Sequence, residues 1–294
     1  MAQSIMAGLK STLLRLSQHR QRQLLVISAS HLDLELLPRL QQSLRRMGKV
    51  EQLDVLLQAR GGEVNATRRI ALLLRRYCQT LTFIVPYHCQ SAATLLTLAG
   101  DEIIAGDLAL FSPIDPLLHG SGPEGAPQAM SCQDIRRFGA LCQDWFGQDQ
   151  QQAQQQALSL LCQSIFPPTL TAFYRSTQEL QDIGEQLLTF QLPAIASAQR
   201  HALVQTLMFG YHSHDYALTA EELLALGLKV SRDDEIEAQA WEASLALQAL
   251  VGGAARSAEN DWQDAMIATP EYCWLRIRSA DMALQGQWRE EVWQ

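Results

Sequence analysis

The chain has 294 residues, 47% of them hydrophobic, enough for one large core or two smaller ones, so wholesale disorder is excluded. Its formal net charge of −8 argues against a general binder of nucleic acid or anionic membranes. Six scattered cysteines form no CxxC pair, no uncharged run reaches spanning length, and Lys10, Arg15, His19, Arg20 and Arg22 interrupt the N-terminus where a signal peptide would lie, so a cytoplasmic protein with no membrane span is expected.

Residues 23–29 (QLLVISA) read as a strand, and 31–48 as a helix with apolar residues at helical spacing and a glycine stop. Residues 50–58 alternate like a strand, and ARGGEVNATRRIALLLRRYC then supplies a Gly-Gly turn and an amphipathic helix. LTFIVPY is the next strand and SAATLLTLAG the next helix, with DEIIAG and LALFSP as two short apolar runs. Repeated strand–helix units over 23–116 favour a layered α/β core. Glycine, proline and serine then punctuate 115–131, and 132–210 reads as helical, including a glutamine-rich tract at 147–160. LTAEELLALGLKV (218–230) is a short helix returning to a strand, with Thr219 and Glu222 spaced for a capping box. Residues 231–294 read as mostly helical and hold five of the six tryptophans, which suits internal packing or a partner-facing surface. The expected organisation is a domain over 1–230 with a helical insertion at about 131–210, followed by a Trp-rich extension over 231–294.

The sequence has no Walker A loop, no GxGxxG after a strand, no HExxH, no zinc-type Cys/His spacing and no GxSxG elbow, and no cofactor is expected. Four local features remain. Gly61 and Gly62 in ARGGEV either make an ordinary turn or let backbone N–H groups face a cavity as half an oxyanion hole. Ser91 lies where a strand hands over to a helix, so it is an N-cap or a nucleophile; the following Ala92 N–H, at a helix start, is a natural oxyanion donor. Asp115 sits between prolines in SPIDPLLHG, with His119 close by. His212, His214 and Asp215 cluster before the capped helix; an H-x-H pair could take a metal, but no third ligand is near, and no metal is expected.

In this order the features resemble the ClpP/crotonase superfamily, and within it the SppA-like and serine dehydrogenase proteinase branch. The segments that carry the resemblance are LDVLLQARGGEVNATRRIA, FIVPYHCQSAATLLTLAGDEI, FSPIDPLL and HDYALTAEELLALGL, within residues 23–116 and 205–230. The resemblance implies an α/β spiral of ββα units, here carrying a helical insertion and a helical C-terminal extension. It also implies frequent homo-oligomers and peptide hydrolysis without a cofactor. By position it makes Ser91 the nucleophile and Gly61, Gly62 and Ala92 oxyanion donors.

The base is less direct. Lys49 and Lys229 both lie outside the stretch between Ser91 and the HD segment, where the lysine of a Ser–Lys dyad belongs. The place of the ClpP histidine falls at Asp115, and that of the ClpP triad aspartate at Asp215. The assignment that keeps a histidine uses His214 as base, oriented by Asp115. His119 with Asp215 is the alternative, and His88 a third candidate. The sequence departs from the branch at Arg60, which stands where a small residue or proline usually precedes Gly-Gly, and at Ala92-Ala93 after the serine. Arg60 there narrows substrate access or favours acidic side chains. The expectation is a serine peptidase acting on peptides or proteins, with 231–294 available to a protein partner. A catalytically silent scaffold or assembly subunit is the alternative. Acyl-CoA chemistry of the crotonase kind is a third reading, and Ser91 argues against it.

Overall fold

A computed structural model of the chain describes residues 2–121, 127–251, 262–278 and 286–292. The chain divides into two compact units, one made of residues 1–112, 187–195 and 217–294, the other of 113–186 and 196–216. In chain order the first half comprises α1 (Ala2–Arg20), β1 (Gln23–Ala29), α2 (Leu36–Met47), β2 (Val50–Ala59), α3 (Val64–Tyr77), β3 (Cys78–Val85), β4 (His88–Cys89), α4 (Ala92–Thr97), β5 (Glu102–Ala105) and β6 (Leu110–Phe111). Then come β7 (Leu117–Ser121), β8 (Pro127–Ser131), α5 (Cys132–Phe146), α6 (Gln150–Ser164), α7 (Pro167–Gln191) and α8 (Ser197–Phe209). The chain closes with α9 (Ala220–Ala225), β9 (Val230–Ser231), α10 (Asp234–Leu250), β10 (Trp262–Ala268), β11 (Tyr272–Arg278) and β12 (Gln287–Val292).

The first unit is built on one mixed sheet in the order β12-β11-β10-β1-β2-β3-β5-β9, with β4 pairing both β2 and β6. From β1 through β9 the neighbours run parallel, whereas β10, β11 and β12 run antiparallel outward from β1. Strands β1, β2 and β3 are buried without a break over 24–29, 53–59 and 81–85 because both their faces are covered. Register aligns Ala268, Val26, Leu56, Ile84 and Ile104 in one row across the sheet. Leu9, Leu13 and Leu16 of α1 and Ile236, Ala240, Ala243 and Leu247 of α10 close over that row. Their spacing puts one stripe of each helix on the sheet, and each buried leucine contributes about 1.5–3 kcal/mol. The odd-numbered partners, Leu25, Val55 and Phe83, are equally buried on the opposite face, the side on which α2 and α3 bury Leu40, Leu44, Ile70 and Leu74.

The C-terminal segment corrects the sequence reading. Of its described residues only α10 is helical; 262–278 and 286–292 form three strands that widen the sheet. Three of its tryptophans pack within the unit: Arg39 and Arg46 lie 4.7 and 5.2 Å over the Trp274 ring, Arg276 lies 5.6 Å from that of Trp288, and Trp241 meets Tyr87 edge-on.

The second unit holds the β7–β8 hairpin, α5, α6, most of α7, and α8. Asp149 caps α6 by accepting from the Gln151 and Gln152 N–H groups, so the glutamine-rich tract is an ordinary capped helix. Gly184 lets α7 approach α8, since a Cβ there would lie 2.9 Å from Val204. No helix among the described residues is long and apolar enough to cross a membrane.

Candidate active site

The sequence-predicted residues fall into two groups, one in each unit. In the first unit, β4 delivers Ser91 to the start of α4. Its backbone sits at φ +53°, ψ −119°, one of two non-glycine residues with positive φ among the described residues. Such a conformation costs on the order of 1–3 kcal/mol and persists only where surroundings enforce it. Three bonds do so here: the Ser91 N–H donates to Ser112 Oγ at 2.7 Å, Leu95 N–H to the Ser91 carbonyl at 3.0 Å, and Ala93 N–H to the Gln90 carbonyl at 2.9 Å. Thr94 Oγ1 accepts from the Ser112 N–H and donates to the Cys89 carbonyl, fixing the brace in turn. The Ser91 side chain makes no capping bond to α4, so the hydroxyl is not used as an N-cap. The Ala92 N–H belongs to the first turn of α4, whose amides have no intrahelical acceptor.

The Gly-Gly turn lies against this serine. Gly61 has φ +127°, and a Cβ there would stand 3.2 Å from Ser91 Cβ and 3.6 Å from its Oγ. Gly62 has φ +155°, and a Cβ there would lie 2.3 Å from the Leu32 carbonyl oxygen. The backbone of Leu32 bridges the turn, donating to the Gly61 carbonyl and accepting from the Glu63 N–H, each at 2.8 Å. That bridge leaves the Gly62 N–H out of its pairing. Arg60 is exposed, with its guanidinium 3.5 Å from His88 Nε2. Burial holds His88 below the ordinary histidine value, and the Arg60 charge pushes the same way.

In the second unit the structure brings His214 and Asp115 together: His214 Nδ1 lies 2.8 Å from Asp115 Oδ1. The carboxylate is buried, and its other oxygen accepts from Ser131 Oγ. Ser131 is also the N-cap of α5, accepting from the Gln133 N–H at 3.0 Å. Gln133, itself buried, donates its side-chain amide to the carbonyls of Met208 and Tyr211 at 3.0 Å each. One helix start therefore holds both the aspartate and the chain that leads to the histidine.

Asp215 is exposed; among the described residues its N–H bonds Ser213 Oγ and its carboxylate meets no histidine. Arg137 engages His212 Nδ1. His119 lies in β7 opposite Ala129, and its side chain lies outside the described residues. Sequence reasoning missed Ser112 and Ser131. The first carries no pattern of its own, whereas Ser131 and Asp134 do have capping-box spacing that marks a helix start.

Residues 9–131 match the family of ClpP-like SDH-type serine proteinases. Over those residues the chain is similar to that family. The matched stretch contains Gly61, Gly62, Ser91 and Asp115 and ends at Ser131; His214 lies beyond it. Two curated relatives are proteins of Methanocaldococcus jannaschii that are themselves described as uncharacterised. MJ0137 is 26% identical over 189 residues, 64% of this chain and 57% of that protein. MJ1495 is 24% identical over 179 residues, 61% of this chain and 52% of that one. The chain thus spans little more than half the length of the curated relatives it matches. Among solved structures, a mutant of the 1510-N membrane-bound stomatin-specific protease aligns with a TM-score of 0.40 at 14% identity, over 71% of this chain and 79% of its own.

Proposed function

We propose that the protein is a serine peptidase in which Ser91 is the nucleophile, His214 the general base and Asp115 its orienting carboxylate. The observation that carries this reading is the Ser91 backbone, held at φ +53° with its hydroxyl released from capping. Strain of this kind collects where a reactive atom must be presented. The His214–Asp115 pair supports the reading from the second unit. With Nδ1–H donating to a buried carboxylate, His214 keeps Nε2 as the acceptor for the serine proton.

In this reading Ser91 Oγ attacks the scissile carbonyl carbon while His214 takes its proton. The Gly62 and Ala92 N–H groups, with the Gly61 backbone beside them, hold the oxyanion of the tetrahedral intermediate. The imidazolium then protonates the leaving amine, and water repeats the sequence on the acyl-enzyme. Asp115 serves as the orienting group rather than Asp215, whose carboxylate is exposed and meets no histidine among the described residues.

The test is hydrolysis of an unfolded protein substrate and of fluorogenic peptides by wild type, Ser91→Ala and His214→Gln. Each substitution is expected to lower kcat/KM by about 10³-fold or more. Full activity in Ser91→Ala would end the proposal.

A further inference from the structure

We propose that Arg276 and Asp33 are positioning residues for the oxyanion hole: strand β11, from outside the family-matched stretch, braces the Gly61–Gly62 turn through them. The inference rests on the serine peptidase reading above, since it assigns that turn to the oxyanion.

The chain of contacts lies wholly within the first unit. The Arg276 side chain is completely buried in the sheet. Its Nε and Nη2 grip the two oxygens of Asp264 on β10 at 2.8 and 3.0 Å, and Nη1 reaches Asp33 Oδ1 at 2.7 Å. Arg278, two residues on, adds contacts to Asp264 at 3.1 Å, Asp33 at 3.4 Å and Glu35 at 3.1 Å. A planar guanidinium forking onto one carboxylate while reaching a second fixes both directions at once, which the point charge of a lysine does not. The same Asp264 accepts the Ser30 N–H on its backbone carbonyl at 2.8 Å. Residues 30–33 are therefore anchored to the C-terminal strands at both ends.

Leu32, inside that anchored segment, is the residue whose N–H and carbonyl bond Gly61 and Glu63. Because a Gly62 Cβ would overlap Leu32, the two backbones are in direct contact, and a shift of one moves the other. The same turn lies against Ser91 through Gly61. Arg276, through Asp33 and Leu32, thus fixes where the Gly62 amide stands.

The experiment compares wild type, Asp33→Asn and Arg276→Lys in the full chain by amide hydrogen exchange and by the rate of fluorophosphonate labelling at Ser91. Asp33→Asn leaves the Arg276–Asp264 fork in place, and Asp33 is partly accessible, so it serves if Arg276→Lys does not fold. The expected result is exchange of the Leu32 and Glu63 amides rising about tenfold or more, with amides of β2 and β3 unchanged, and labelling about tenfold slower. Unchanged exchange at those two amides, or an equal rise throughout the sheet, would overturn the brace. Local loosening with labelling at the wild-type rate would overturn its role in catalysis. Wild type that does not label would count against the peptidase reading, while the exchange comparison would still decide the brace.

Discussion

Replacing Gly62 with alanine probes the contact on which the geometry of the turn depends. The new Cβ would sit 2.3 Å from the Leu32 carbonyl oxygen and 2.5 Å from its nitrogen, and both are backbone atoms that no rotamer change can move. The backbone also stands at φ +155°, where an alanine is strained by about 1–3 kcal/mol. Relieving the overlap separates Leu32 from the turn and puts at risk the two 2.8 Å bonds to Gly61 and Glu63, each a net contribution of about 0.5–1.5 kcal/mol. Together these give roughly 2–6 kcal/mol, a large share of the roughly 5–15 kcal/mol that holds a domain folded. Urea unfolding followed by far-ultraviolet circular dichroism reads this as a lower midpoint at unchanged slope. Gly62→Ala unfolding within about 0.5 kcal/mol of wild type would refute the packing argument, because that is the range of an indifferent surface substitution.

Ser131→Ala removes both the N-cap of α5 and the hydroxyl that Asp115 accepts; a loss of about 2–4 kcal/mol is expected in the same unfolding assay, with Ser131→Thr restoring most of it. His88 gives a pH dependence. Burial and Arg60 lower its folded value, so on acidification through the usual histidine range the unfolded chain binds the proton first, and stability falls from there down to the folded value. His88→Gln should flatten the fall in unfolding midpoint between about pH 7.5 and 5.5, and an identical slope in the two proteins would contradict this. Burial pushes the Cys78 thiol up to about 11 and those of Cys132 and Cys273 to about 12, whereas Cys162 is exposed. Iodoacetamide on the native protein near ~pH 8 should therefore alkylate Cys162 first, and a first adduct mapped to Cys273 would speak against the burial described.

The parallel half of the sheet was legible because β1, β2 and β3 each carry a short apolar run between helices of clear amphipathic spacing. The antiparallel half was not. Strand β10 pairs with β1 across more than 230 residues of chain, and no local pattern signals such a partner. Strand β11 buries Arg276 where a strand pattern would lead one to expect an aliphatic residue, and Asp264 on β10 does the same. Charges that neutralise each other inside the sheet erase the alternation by which strands are read. Of the tryptophans whose density suggested internal packing or a partner-facing surface, Trp274 and Trp288 lie beside arginines within the first unit.

The site divides in the same way. Composition and order singled out Ser91, Gly61 and Gly62, because residue types can mark a junction between strand and helix. The positive φ of Ser91, which separates a presented hydroxyl from an N-cap, is a product of Ser112 and Thr94 holding the backbone and has no signature in the residue itself. Asp115 and His214 lie 99 positions apart, so their hydrogen bond is a product of the fold.

Whether Ser91 is an activated nucleophile is tested most directly by treating the folded protein with a fluorophosphonate and weighing it intact, with Ser91→Ala and His214→Gln alongside. The account predicts a single adduct on wild type, none on Ser91→Ala and labelling slower by about 10³-fold on His214→Gln. A folded wild type that takes no adduct, or an adduct that persists in Ser91→Ala, would contradict it.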